Sequence, residues 1–295
     1  MPSALVRTCA AVASVCLAAP IAIPRQNEIA GPRVWLAVEE QPRGQLRIEP
    51  IATVVDGQLT RVQSSCLFDE RDSQDPVADL LKPSNIYSLL FGGANIGEGL
   101  ITEENQSERI AYVKYTGTAK IRGQVRALAT NFQQSGFRVA LREAATADDR
   151  RSALALAREI FSEHGVPEAY LPKVREEYLT RTYLAPSPQT SLLGSFYLDT
   201  ENDEGLLHSL FFIAGEPGDK LQPELTWLHI SEYDGDEERV RLVDHADLFG
   251  NGQDEVVTKL VSVQTQSHRY LIFRRTKDTA HWEQFFATEP LGCGS

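Results

Sequence analysis

Residues 146–188 read TADDRRSALALAREIFSEHGVPEAYLPKVREEYLTRTYLAPSP. Whether this stretch is helical decides the fold class, because the chain on both sides of it reads as strands. Thr146 stands where an N-cap belongs, and Asp148 and Asp149 follow in the first turn, where the helix dipole favours acids. Leu154, Ala157, Ile160 and Phe161 recur at helical spacing, and Gly165 supplies a stop. A second helix is expected from near Pro172 through Val174, Tyr178 and Leu179 to about Tyr183. Ala185-Pro186-Ser187-Pro188 then blocks its continuation. The apolar stripe of this helical pair reads as packing surface.

Upstream, strand signals dominate. Val34–Val38 is a short apolar run. Leu46–Val55 and Leu59–Val62 flank Asp56-Gly57, a strong hairpin signal. Ile86–Phe91 and Ile96–Ile101 flank Gly92-Gly93. Ile110–Tyr115, Val125–Ala129 and Phe137–Leu141 read as further strands, and Asp75–Leu81 as at most a short helix with Pro76 in its first turn. Downstream, strands return at short intervals: Leu192–Leu198, Leu206–Ala214, Leu225–Ile230, Val240–Val243, Val256–Val263, Tyr270–Arg274 and Trp282–Phe286. Short connections make such strands antiparallel neighbours, which implies a meander curled into a sandwich, a barrel or one twisted sheet. Strands, then helices, then strands point to an antiparallel, β-rich α+β fold. The expected organisation is a leader over 1–22, a β-rich region over 26–143, the helical pair over 144–185 and an antiparallel β region over 189–295.

The first residues, MPSALVRTCAAVASVCLAAPIAIP, place one cation, Arg7, before an apolar run and small residues at Ala18, Ala19 and Ala22. That is the secretory pattern, and it makes a periplasmic or secreted location the expectation. Two of the four cysteines, Cys9 and Cys16, lie in this leader; Cys66 and Cys293 remain, and an oxidising compartment favours their pairing as a disulfide. The 29 Lys and Arg face 41 Asp and Glu, a formal net charge of −12. So acidic a chain is a poor partner for nucleic acid, where cations must replace counterions, or for anionic lipid. No apolar stretch after the leader approaches a membrane span.

The most suggestive stretch for chemistry is Asp247-Leu248-Phe249-Gly250-Asn251-Gly252-Gln253-Asp254-Glu255. It resembles the acidic calcium loop of FG-GAP/VCBS-type repeats, in which oxygens alternate around a glycine turn and a strand follows. The resemblance implies Asp247 as first ligand, Asn251 at the fifth position, Gln253 through its main-chain oxygen and Glu255 at the ninth. Calcium takes six to eight oxygens, and a tight glycine turn lets alternate groups converge. Phe249 at the third position and Thr258 at the twelfth depart from the pattern, and Asp244 or Asp254 would have to stand in for the missing ligand.

Other constellations are weaker. The histidines at 164, 208, 229, 245, 268 and 281 never fall at a zinc-hydrolase spacing. Neither a Gly-x-Ser-x-Gly elbow nor a phosphate-cradling Gly-x-x-x-x-Gly-Lys occurs. The leading expectation is an exported, non-enzymatic structural or binding protein for a protein or glycan ligand, with at most one structural calcium site. The alternatives are an exported hydrolase with carboxylates assembled by the fold, and an inhibitor or subunit of an envelope assembly.

Overall fold

A computed structural model of the chain describes residues 32–42, 44–62, 79–117, 126–132, 142–200, 207–215, 220–233, 237–276 and 281–291. The leader, Cys66, Cys293 and the Phe137–Leu141 segment lie outside the described residues.

Seven strands build the first half: β1 (Arg33–Glu40), β2 (Leu46–Val55), β3 (Gln58–Arg61), β4 (Ile86–Phe91), β5 (Ala94–Asn105), β6 (Ile110–Gly117) and β7 (Arg126–Thr130). The hairpin signal at Asp56-Gly57 is a hairpin. Both residues have positive φ (50° and 75°), as a two-residue turn matched to strand twist requires, and Val55 pairs with Gln58. Gly92 and Gly93 likewise turn β4 into β5. Pairing runs β1-β7-β4-β5-β6-β2, and β1 also pairs with β2, so six strands close into a barrel with β3 appended to β2. Closure leaves no edge within the ring. Alternation decides which residues enter: Leu36, Ile48, Leu89, Ile101 and Val113 fill the inside, while Trp35, Ile51, Leu90 and Leu128 face outward.

The first of the two expected helices is present as α1 (Ala147–Glu163). Thr146 and Asp149 form a reciprocal capping box, and Gly165, at φ 86°, follows the end. The second is not a helix, and this overturns the α+β assignment. After one 3₁₀ turn at Leu171–Lys173, the segment Arg175–Tyr183 is strand β9. Among the described residues 59% are in strands and 11% are helical; the fold is mostly β. The apolar residues of this segment fit helical spacing, but Tyr178, Thr180 and Thr182 also alternate, and β-branched and aromatic residues favour the pleated state. Pairing decides between the two periods. The segment runs antiparallel along β10, from Tyr183 opposite Thr190 to Arg175 opposite Tyr197.

The rest is two meanders. β8 (Glu143–Ala144), β9, β10 (Thr190–Asp199), β11 (Leu207–Gly215) and β12 (Gln222–His229) form one sheet, in order of sequence. β13 (Glu238–Ala246), β14 (Glu255–Ser262), β15 (His268–Arg275) and β16 (Trp282–Ala287) form the other.

These pieces stack in layers. α1 packs Leu156, Ile160 and Phe161 onto Leu192, Phe196, Leu210 and Phe212 of the five-stranded sheet. The opposite face of that sheet, with Leu193, Phe211 and Ile213, meets Leu242, Val256, Leu271 and Phe273 of the four-stranded sheet. The four-stranded sheet then turns Val243, Val257, Tyr270 and Ile272 onto the outer wall of the barrel. It is buried on both faces, so the residues on either side of α1 share a core. Among the described residues, no helix is long and apolar enough to cross a membrane.

Candidate functional site

Where the barrel meets the sheets, a groove of about 830 Å³ opens between the end of β1 and its turn into β2, and strands β7, β9 and β13. Three glutamates (Glu39, Glu40, Glu177) and three arginines (Arg47, Arg126, Arg241), with Gln41 and Tyr178, supply its polar chemistry. Each strand presents these residues because its opposite face is committed to a core. On β1, for example, Trp35 and Ala37 cover the sheet contact while Glu39 continues that face past the barrel rim.

Glu39 gathers three cations: Arg47 Nη2 at 2.9 Å, Lys259 Nζ at 3.4 Å and Arg126 Nε at 3.7 Å. Burial alone would raise the pKa of Glu39, but Lys259, Arg47 and Arg126 overcome it and hold the carboxyl below its ordinary value. Arg241 Nε donates to Glu177 Oε1 at 2.7 Å. Burial lowers the pKa of Arg126, and the neighbouring charge of Arg241 lowers it further, against the pull of Glu39 and Glu177.

A second hollow, about 420 Å³, shares Glu177 and Tyr178 with the groove and is floored by Arg142. That guanidinium is buried. It ion-pairs with Asp244 at 3.1 Å, donates to the carbonyls of Arg126 and Val243 and to the Tyr178 hydroxyl, and lies 4.5 Å over the Phe91 ring. Asp244 also accepts the Gly92 N–H at 3.0 Å. Arg142 therefore ties β4, β7, β9 and β13 beneath the groove, and Asp244 with Tyr178 holds it as the cation against its burial.

The residues singled out in the 247–255 loop are brought together around one turn. The Asp247 carboxylate accepts the N–H groups of Asn251 (2.9 Å) and Gly252 (2.7 Å). Asn251 Oδ1 accepts the Gln253 N–H at 2.9 Å, and Glu255 Oε2 the Leu248 N–H at 2.9 Å; the Gln253 amide donates to the Arg275 carbonyl. Burial, with Asp247 and Asp254 nearby, pushes the Glu255 carboxyl up to about 8 although Leu248 donates to it. These oxygens close the turn onto its own amides. Among the described residues no group of three or more His, Cys, Asp or Glu side chains is arranged to hold a metal ion. The phenyl ring of Phe249, at the third position, packs edge-on against Phe285.

Two further constellations came together without any local signal. Thr182 Oγ1 lies 2.8 Å from His245 Nε2, and His245 Nδ1 lies 3.2 Å from Asp254 Oδ2. This is the order of hydroxyl, imidazole and carboxylate used by nucleophilic enzymes. Here, however, the three side chains are sealed at 0–1% exposure, and Asp254 is also engaged by the Ala185 N–H. The trio fastens β9 to the β13–β14 connection. The other is Glu49, buried at the barrel–sheet contact, which meets His268 Nε2 at 2.9 Å and the Tyr270 hydroxyl at 2.7 Å.

No family model, curated protein or solved structure matches the chain. The signal that could have pointed to the groove is thin: arginines at 47, 126 and 241 in an acidic chain, each in a strand, far apart in sequence.

Proposed function

We propose that the protein is an exported, non-enzymatic binding protein and that the seam groove is its binding site. The observation that carries this reading is a concave, charged groove of about 830 Å³ where three layers of the fold meet. Ligand sites favour such junctions, with a few convergent polar groups fixing orientation. The secretory pattern of residues 1–22 supports export. The hydrolase reading finds less support, because the groove carboxyl Glu39 is held below its ordinary pKa, the opposite of a general acid. Two carboxyls among the described residues are raised by burial, Glu255 and Asp244; they are 2% and 0% exposed, Asp244 is paired with Arg142, and neither lines the groove.

The test is a thermal-shift screen of the full chain against neutral, anionic and cationic small molecules, beside Gln41→Trp. Gln41 lines the groove, and its backbone bonds to Gln45 and Gly44 do not depend on its side chain. Stabilisation by a small molecule that Gln41→Trp abolishes is expected. Stabilisation that survives the blocked groove would place the site elsewhere and sink the reading.

A further inference from the structure

We propose that the groove takes the oxyanion of a small molecule, a carboxylate or a phosphate, between Arg126 and Arg241, an inference that rests on the groove being the binding site. The cations of the groove are unequally satisfied. Arg47 is hydrogen-bonded to Glu39 and Arg241 to Glu177. Arg126 has only the 3.7 Å ion pair to Glu39, beyond hydrogen-bond distance, and its guanidinium makes no hydrogen bond among the described residues. Its side chain is nevertheless only 15% exposed. Arg47 and Lys259 sit on Oε2 of that carboxylate, while Arg126 Nε faces Oε1 without reaching hydrogen-bond distance.

No Arg126 nitrogen is sealed without a partner, so its donors stand open to the groove, and the neighbouring charge of Arg241 is unfavourable for the empty protein. Both effects favour one kind of occupant. A carboxylate or phosphate can present two oxygens to paired N–H bonds from the fork of Arg126 and from the terminal nitrogens of Arg241, and its charge offsets their repulsion. A neutral ligand would leave the repulsion in place, and a cation would add to it. The Tyr178 ring, whose hydroxyl is occupied by Arg142, offers an apolar wall for the body of the ligand.

Glucuronate and glucose differ at one carbon by a carboxylate and make a matched pair of probes; inorganic phosphate tests the other oxyanion. Calorimetric titration of the full chain at low ionic strength is expected to give binding for glucuronate, phosphate or both, and none for glucose. Binding should weaken at least tenfold in Arg126→Gln and in Arg241→Gln, and also as salt is raised. Melting without ligand separates a binding from a structural role: Arg126→Gln, relieved of the Arg241 charge, should melt no lower than the parent. If Arg126 is instead a structural partner of Glu39, that variant melts lower, and the proposal fails. Equal binding of glucose and glucuronate, lost in Gln41→Trp, would overturn the oxyanion and leave the groove as a binding site. Failure of both anions to bind overturns it as well.

Discussion

Glu49 shows how one residue can couple layers of this fold. Its carboxylate sits under the barrel wall at 6% exposure, yet it meets His268 and Tyr270, and Lys259 Nζ lies 3.9 Å away. Burial would raise its pKa, but the His268 bond and charge, Lys259 and the Tyr270 hydroxyl together bring it down to about 2. A carboxyl whose folded pKa is depressed contributes stability above its unfolded value, and that contribution is lost as pH falls through the folded value. The window here runs from about pH 4.5 down to about 2, and the difference between the two values corresponds to about 3 kcal/mol. Urea denaturation of the parent and Glu49→Gln should therefore show a gap of that order at pH 6 that narrows steeply below pH 4. A gap independent of pH would mean that packing, not charge, holds the residue. Asp247 makes a second residue-scale case. Because both its oxygens accept backbone N–H groups, Asp247→Ala should cost about 1–3 kcal/mol in EDTA as well as in calcium. A loss seen only in calcium would instead mark the loop as a metal site.

At the scale of elements, α1 is the unit whose stability is most local. Thr146→Ala removes the acceptor for the Asp149 N–H and should lower the melting free energy by about 1 kcal/mol. The reverse half of the box, the Thr146 N–H to Asp149 bond at 2.9 Å, survives because it is a backbone donor. Asp149 also accepts from the Arg181 guanidinium of β9. Its carboxyl is accordingly lowered, first by Arg181, against some burial. This cap was legible in the sequence for the same reason that it is stable: all its parts lie within four residues. The Asp56-Gly57 and Gly92-Gly93 turns were legible likewise, since positive φ needs particular residues. β9 was not. Arg175–Tyr183 satisfies both the helical and the alternating period, and the choice between them is made by β10 and by His245, more than sixty residues downstream of Thr182. The groove is the extreme case. Its arginines are drawn from β2, β7 and β13, and only barrel closure and sheet stacking bring them to one place.

For the whole molecule, the order of layers differs from the order of the chain. The barrel comes from the first residues and α1 with its sheet from the middle ones, yet the layer between them, β13–β16, comes from residues 238–287. That layer reads in sequence as successive apolar runs, such as Val256-Val257 and Tyr270–Phe273, because both its faces are covered. Its burial joins barrel and sheets into one cooperative body, and alternation within each strand sends neighbouring side chains to different cores. The arrangement also carries a consequence for synthesis. While the ribosome is still reading residues 238–287, the barrel wall around Trp35 and Leu128 and the sheet face around Phe211 and Ile213 both lack their cover. A nascent chain halted there presents two apolar faces that the finished protein never shows, and each is a docking surface for a chaperone or for a second unfinished chain. The last fifth of the sequence is thus the part that makes everything translated before it safe to release.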